Sequence, residues 1–252
     1  MSTPINETQK EDRTPKEDRY VRFKDVVSRE VVEKLKVGVI GVGAVGRQVA
    51  LQVAMMGVRE LVLWDFDRVE EHNLPVQGFK QKDIGLRKVM CVADDCRDIT
   101  PDMRVVEHNS KYEETPMEVD VLFCCVDSMA TRKRLWSMVM DQCEFYVDGR
   151  ISAEVCRVLC VPLQDGTEGP RARREYFSTL CGDDEVYRDR CTARTTMYGA
   201  YVASGMMVGQ MVKWLRRDRG LELQTDVLFN MLSMELSVGN ALILGGGAAV
   251  RL

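Results

Sequence analysis

The segment that most limits the fold of this chain is Gly41-Val42-Gly43-Ala44-Val45-Gly46, set between a short apolar run at residues 37–40 and an apolar stretch reaching Gly57. Its spacing has physical content. The first glycine permits a tight turn out of a strand, the second lets the backbone approach a phosphate, and the third lets a helix pack against the strand. Free N–H groups and a partial positive charge at the helix start then favour an anion. A second apolar run, residues 61–64, ends at Asp65, placed to accept hydrogen bonds from ribose hydroxyls. Gly41, Gly43, Gly46 and Asp65 together point to an adenosine-containing nucleotide. Nicotinamide dinucleotide and ATP both fit, because no G-x-x-x-x-G-K-[ST] loop is present to separate them.

The rest of the first half repeats the alternation. Val26, Val27, Val31, Val32 and Leu35 recur at helical spacing, so residues 20–36 read as a helix. A helix is expected over residues 85–98, stopped before Pro101, and another over 128–142. Strand-like runs fall at residues 104–108, 119–126 and 145–148. Buried strands alternating with helices predict an α/β, Rossmann-like, doubly wound and mostly parallel sheet. Residues 155–163 and 227–238 resemble half-exposed strands, which suits an antiparallel extension in the C-terminal part. Between them, residues 165–191 are polar with few structure signals. The expected organisation is a tail over 1–18 and a single domain over 19–252. Its nucleotide-binding half covers 37–150, and its substrate or dimer half covers 151–252.

Composition removes several function classes. The chain has 252 residues and a formal net charge of -4, so no global basic field exists to hold nucleic acid. Its 9 Cys lack paired C-x-x-C spacing, so no zinc is expected, and a reduced cytoplasmic setting follows. The first 19 residues are polar and carry no apolar signal region. Residues 195–212 are free of charge and approach the length of a membrane span. Ser204, Gln210 and three glycines within them favour a buried or dimer-interface helix instead, and no membrane association is expected.

Downstream of the second strand the chain reads Asp65-Phe66-Asp67-Arg68-Val69-Glu70-Glu71-His72-Asn73-Leu74-Pro75-Val76-Gln77. Ile84-Gly85-Leu86-Arg87-Lys88 and Cys125-Val126-Asp127-Ser128 come later. In order and spacing these resemble the ThiF/MoeB/HesA superfamily, the activating enzymes of ubiquitin-like and sulfur-carrier proteins. The family pattern is a glycine loop, D-x-D-x-V-x-x-x-N-L-x-R-Q, then I-G-x-x-K, then a strand ending in (C/T)-x-D-(N/S). The resemblance implies ATP-Mg²⁺-dependent adenylation of a C-terminal carboxylate, usually Gly-Gly. It implies that Asp65 holds the ribose, that Asp67, Asn73 and Lys88 line the nucleotide with Asn73 and Lys88 on the phosphates, and that Asp127 binds Mg²⁺. Arg19-Tyr20-Val21-Arg22 is similar to the family's R-Y-x-R, whose second arginine enters the partner subunit's ATP site. Arg22 inherits that role and implies a homodimer or a heterodimer with a related chain.

One departure bears on turnover. Where the family carries arginine in N-L-x-R-Q, this chain has Val76. Either Arg68, Lys80, Lys82 or Arg87 substitutes, or the domain binds ATP without efficient turnover and serves as a silent partner subunit. A nicotinamide-dependent oxidoreductase is the remaining alternative. Some relatives carry the activated substrate onward as a thioester, in some pathways to a conjugating enzyme. Cys191, between Arg190 and Arg194 and just ahead of the apolar helix, looks like the family's Cys-Thr. A helix N-terminus and flanking arginines would lower a thiol's pKa. Cys181 is the second candidate, while Cys124, Cys125, Cys156 and Cys160 lie in apolar runs and should be inert. Arg171, Arg173 and Arg174 could receive an acidic partner or simply face solvent. Gly149, at the end of a strand, could admit an extended substrate tail.

Overall fold

Apolar runs that the sequence leaves uninterrupted become buried parallel strands. A computed structural model describes residues 19–113, 116–164, 169–180 and 195–243, with side chains to residue 239. The expected tail over 1–18, together with Cys181 and Cys191, lies outside the described residues. Strands β1 (Lys36–Ile40), β2 (Glu60–Trp64), β3 (Arg104–His108), β4 (Val121–Cys124) and β5 (Phe145–Ser152) pair in parallel. β6 (Val155–Pro162), β7 (Glu222–Asn230) and β8 (Glu235–Ile243) continue the same sheet antiparallel. The order across the sheet is β3-β2-β1-β4-β5-β6-β7-β8. This is the doubly wound sheet with an antiparallel extension that the patterning predicts.

Successive side chains of a strand point to opposite faces, so the core divides in two. On one face Val37, Val39, Leu61, Phe123 and Val147 pack under α1 (Arg29–Lys34), α2 (Ala44–Met56), α4 (Lys88–Ile99) and α7 (Met197–Leu215). On the other, Ile40, Trp64, Leu122 and Tyr146 meet α5 (Met129–Val139) and α6 (Gly169–Ser178). A short helix, α3 (Asn73–Gln77), lies in the loop after β2.

Three segments differ from expectation for local reasons. Only α1 is helical within residues 20–36, because Ser28 takes an extended conformation and resets the chain. Ahead of it the chain folds as turns that dock Tyr20 on Gly57, where an added Cβ would meet the ring at 2.7 Å. The polar segment contains α6, whose buried face is little more than Ala172 and Tyr176 at i,i+4, too thin a stripe to register as periodicity. Within α6, Arg171 pairs with Glu175 at 2.8 Å and Arg173 with Asp141 at 2.6 Å, so two of the three arginines are engaged inside the chain. The run at 227–238 is a hairpin: Asn230 Oδ1 accepts the Leu232 and Ser233 N–H groups, and Met234 turns the chain at φ 59°.

The uncharged run becomes α7, which buries Ala200, Ala203, Met207, Met211 and Trp214. Ser204 is satisfied by Gln52 Nε2 at 2.9 Å. Among the described residues no helix is long and apolar enough to cross a membrane. Gly149 faces this helix rather than a substrate channel. A Cβ there would stand 2.8 Å from Met207 Cε and closer still to its sulfur, so the missing side chain admits α7.

Candidate nucleotide-binding site

Strand order reverses between β1 and β4, so the loops leaving their C-terminal ends diverge and open a crevice. The glycine loop forms one lip. Gly41 takes φ 84°, and a Cβ on it would meet the Cys125 carbonyl oxygen at 2.9 Å. A Cβ on Gly46 would lie 2.9 Å from the Gly41 carbonyl carbon and 3.1 Å from Cys125 Cβ, closer still to the Gly41 oxygen. Gly43 caps α2 without a side chain, and Arg47 N–H makes the first helical bond to its carbonyl at 3.0 Å. The N–H groups of Ala44, Val45 and Gly46 therefore have no helical acceptor and face the crevice end of α2.

Asp65 follows β2 directly and clamps this loop. Its Oδ2 accepts the Val42 N–H and its Oδ1 accepts the Asp67 N–H, both at 2.8 Å. Each oxygen keeps a second lone pair for a hydroxyl. Burial pushes the Asp65 carboxyl above its ordinary value, while the two backbone N–H groups pull the other way. Lys88 opens α4; its buried Nζ reaches Asp67 Oδ2 at 2.9 Å, and its backbone N–H donates to the Asp67 carbonyl at 3.1 Å. Asn73 begins α3 and is 4% exposed. Its Oδ1 accepts the Glu70 N–H at 2.9 Å, which leaves its NH₂ group without a protein partner among the described residues. The structure thus gathers Gly41, Gly43, Gly46, Asp65, Asp67, Asn73 and Lys88 on one side of the crevice.

Asp127 stands opposite, in the loop after β4, exposed and with no protein partner among the described residues. Among those residues no three His, Cys, Asp or Glu side chains cluster as a metal site. A magnesium ion carried on a nucleotide needs only one or two carboxylates besides the phosphates, so the single free Asp127 fits it.

Two further side chains belong to this neighbourhood. Gln77, the last residue of α3, lies against the glycine loop: a Cβ on Gly43 would be 3.7 Å from its Oε1. That buried oxygen has no hydrogen-bond partner. An orphaned amide beside a phosphate-type loop fits a polar occupant, and the motif position of Gln77 was its only sequence signal. Arg47 is buried in the first turn of α2, paired with Asp95 at 2.7 Å, with its Nε unpartnered. A helical arginine at that spacing carries no sequence mark of burial.

The cations considered for the role of the arginine missing at Val76 are mostly engaged elsewhere. Arg68 donates to the Gly85 carbonyl, Arg87 to the Phe66 carbonyl, and Lys80 pairs with Asp95. Lys82 is exposed. Arg22 is not brought to this crevice: neighbouring Tyr20 docks at Gly57, the C-terminal end of α2. The 13 residues of α2, about 20 Å of helix, separate that end from the glycine loop. Burial raises the Cys124, Cys125, Cys156 and Cys160 thiols above their ordinary value, the direction that makes a thiol less nucleophilic.

Comparison with known proteins bears on the family and the fold. The model of the ThiF family matches residues 18–241. Ubiquitin-like modifier-activating enzyme 5 of Branchiostoma floridae is 26% identical over 219 residues, covering 79% of this chain and 51% of that protein. The Nedd8-activating enzyme E1 catalytic subunit of Drosophila melanogaster is 30% identical over 142 residues, covering 54% and 31%. This chain therefore spans about half the length, or less, of the curated relatives it matches. The crystal structure of E. coli MccB with ATP shares the fold at a TM-score of 0.66 and 17% identity, over 89% of this chain and 72% of that one. The structure of PaaA does so at 0.64 and 16%, over 85% and 65%.

Proposed function

This chain belongs to the ThiF family, and on that premise we propose that it adenylates the C-terminal carboxylate of a ubiquitin-like or sulfur-carrier-like protein with ATP. The observation that carries the reading is the buried Lys88, whose ammonium is held at Asp67 beside the glycine loop and the Asp65 clamp. A fixed cation beside the glycine loop suits a triphosphate, which carries more charge to neutralise than the pyrophosphate of a nicotinamide dinucleotide.

In this reading Asp65 accepts the ribose hydroxyls, and the α2 N–H groups, Asn73 and Lys88 neutralise phosphate oxygens. Asp127 holds Mg²⁺, which when bound supplies charge neutralisation on the triphosphate. A carboxylate oxygen of the substrate attacks the α-phosphorus. The bond from that phosphorus to the bridging oxygen breaks, and pyrophosphate leaves with the electron pair. Arg22 acts only in trans, which calls for a homodimer in which each copy completes the other's site. A Gly-Gly type tail suits the crevice because it presents a carboxylate without side chains. Cys191 then attacks the acyl carbon and AMP leaves, giving a thioester for a conjugating enzyme or another acceptor. Arg190 and Arg194, its neighbours in the sequence, support that assignment. A cytoplasmic setting, with ATP at hand and thiols reduced, accompanies the reading.

The test is ATP–pyrophosphate exchange with purified protein and a ubiquitin-like protein ending in Gly-Gly. Exchange that requires the intact C-terminal carboxylate supports the reading, and ATP binding with no exchange on any such substrate overturns it. That second outcome is what a silent partner subunit would give, a reading favoured by Val76 and by the engagement of Arg68, Lys80 and Arg87 elsewhere.

A further inference from the structure

A second cluster of charge centres on a buried pair between β4, β5, α5 and α6. Asp148 on β5 is fully buried, and Arg132 on α5 is 4% exposed. Arg132 Nη1 donates to Asp148 Oδ1 and stands 3.9 Å from Cys124 Sγ. Its Nη2 donates to the Val126 carbonyl and, at 3.0 Å, to the Gly149 carbonyl. The other Asp148 oxygen accepts Arg150 Nε at 2.7 Å and the Tyr176 hydroxyl at 3.0 Å. Arg150 in turn donates to the carbonyl and hydroxyl of Thr179.

Stability alone gives little reason for such a cluster, since buried ion pairs are often matched or bettered by apolar side chains of similar volume. Where the donors are directed is more informative. The Val126 carbonyl belongs to the peptide that joins Val126 to Asp127, so a guanidinium gripping that oxygen fixes the peptide plane from which Asp127 departs. On the far side Ser128 caps α5, its hydroxyl oxygen accepting the Thr131 N–H at 3.1 Å. On the near side Cys125 N–H is tied to the Ile40 carbonyl at 2.8 Å, at the end of β1. Asp127 itself is exposed with no side-chain partner among the described residues, so only its backbone is anchored. The planar fork of arginine reaches Asp148, Val126 and Gly149 at once, which a lysine ammonium could not do with the same geometry.

We propose that Arg132, oriented by Asp148, is a positioning residue that fixes the Val126–Asp127 peptide and so aims the Asp127 carboxylate at the divalent ion on the nucleotide's phosphates. The proposal rests on the adenylation reading. Neither Arg132 nor Asp148 touches substrate or nucleotide; both act through Asp127.

The test measures ATP affinity of the full chain with EDTA and with Mn²⁺, and Mn²⁺ affinity of the protein–ATP complex by electron paramagnetic resonance. Three variants are compared with the parent. Arg132→Lys keeps the buried positive charge, Arg132→Met/Asp148→Asn removes the pair together so that no lone charge is stranded, and Asp127→Asn removes the carboxylate. The expected result is unchanged ATP affinity in EDTA, with Mn²⁺ affinity about tenfold weaker or more in all three. Adding Asp127→Asn to Arg132→Lys should cost nothing further, because both act through one carboxylate. Either Arg132 variant, folded and with parental Mn²⁺ affinity, would overturn the proposal, as would an Asp127→Asn protein with parental Mn²⁺ affinity. The first result leaves the adenylation reading standing whole; the second leaves the reaction standing but removes Asp127 from the metal's role in it. A parent chain that binds no ATP in any condition would instead sink that reading and this one with it.

Discussion

Two glycines of one loop should fail in different ways. At Gly46 an alanine methyl would lie 2.9 Å from the Gly41 carbonyl carbon and 3.1 Å from Cys125 Cβ, closer still to the Gly41 oxygen. Two of these are backbone atoms at the β1–α2 turn, which no rotamer change can move. Overpacking commonly costs about 1–3 kcal/mol, and a clash with backbone belongs at the top of that range. At about 2–4 °C per kcal/mol for a chain of this size, Gly46→Ala should lower Tm by roughly 6–12 °C. Gly43 is different. Its φ is -76°, and its added methyl meets nothing nearer than Gln77 Oε1 at 3.7 Å, an ordinary contact. Gly43→Ala should therefore melt within about 1–2 °C of the parent while its methyl occupies the space a phosphate needs. The assay is thermal unfolding of both variants with and without ATP-Mg²⁺. A ligand at a hundredfold excess over Kd adds about 2.7 kcal/mol to the parent; Gly43→Ala should lose most of that increment. A Gly46→Ala protein as stable as the parent would refute the packing argument. A Gly43→Ala protein with the full ATP increment would refute the location of the phosphates.

Lys88→Met keeps the stem volume and removes the ammonium at Asp67. Because Asp67 is about half exposed, the loss of the pair should cost at most about 1 kcal/mol, while pyrophosphate exchange falls tenfold or more; parental exchange would remove Lys88 from the site. Burial pushes the Cys96 thiol up to about 12. Its contribution to stability is thus full below the ordinary thiol value near 9 and is lost as pH rises toward 12, by up to about 1.4 kcal/mol per pH unit. Cys96→Ala should make the fall of Tm between pH 9 and 11 shallower, and parallel curves would count against the assignment. Burial likewise raises the other described thiols, with Cys91 at about 11 and Cys143 at about 12. A thiol reagent at pH 8 should therefore label Cys191 or Cys181 first in the native protein, and mass spectrometry that finds Cys124 or Cys125 labelled first would contradict this.

What was legible in the sequence is what local spacing enforces. The strand–glycine–helix unit announces itself because Gly41, Gly43 and Gly46 answer steric demands within six residues, and the uninterrupted apolar runs at 37–40, 61–64 and 121–124, alternating with helices, read as buried parallel strands. The end of β2 marks Asp65 as a ligand position for the same reason. Tertiary structure alone decided which groups meet. Asp65 is as much a clamp on Val42 as a ribose acceptor, Gly149 makes room for Met207, and Tyr20 carries Arg22 away from its own crevice. The helix α6 escaped notice because two buried residues make no period, and parts of β7 and β8 read as one strand over 227–238 because Leu236 and Val238, though 60% and 53% exposed, continue the apolar alternation. Arg132, Asp148 and Arg150 carry no mark of their pairing in the sequence. A charge leaves water only when partners from other elements surround it, and those partners lie on separate strands and helices that the fold must first assemble.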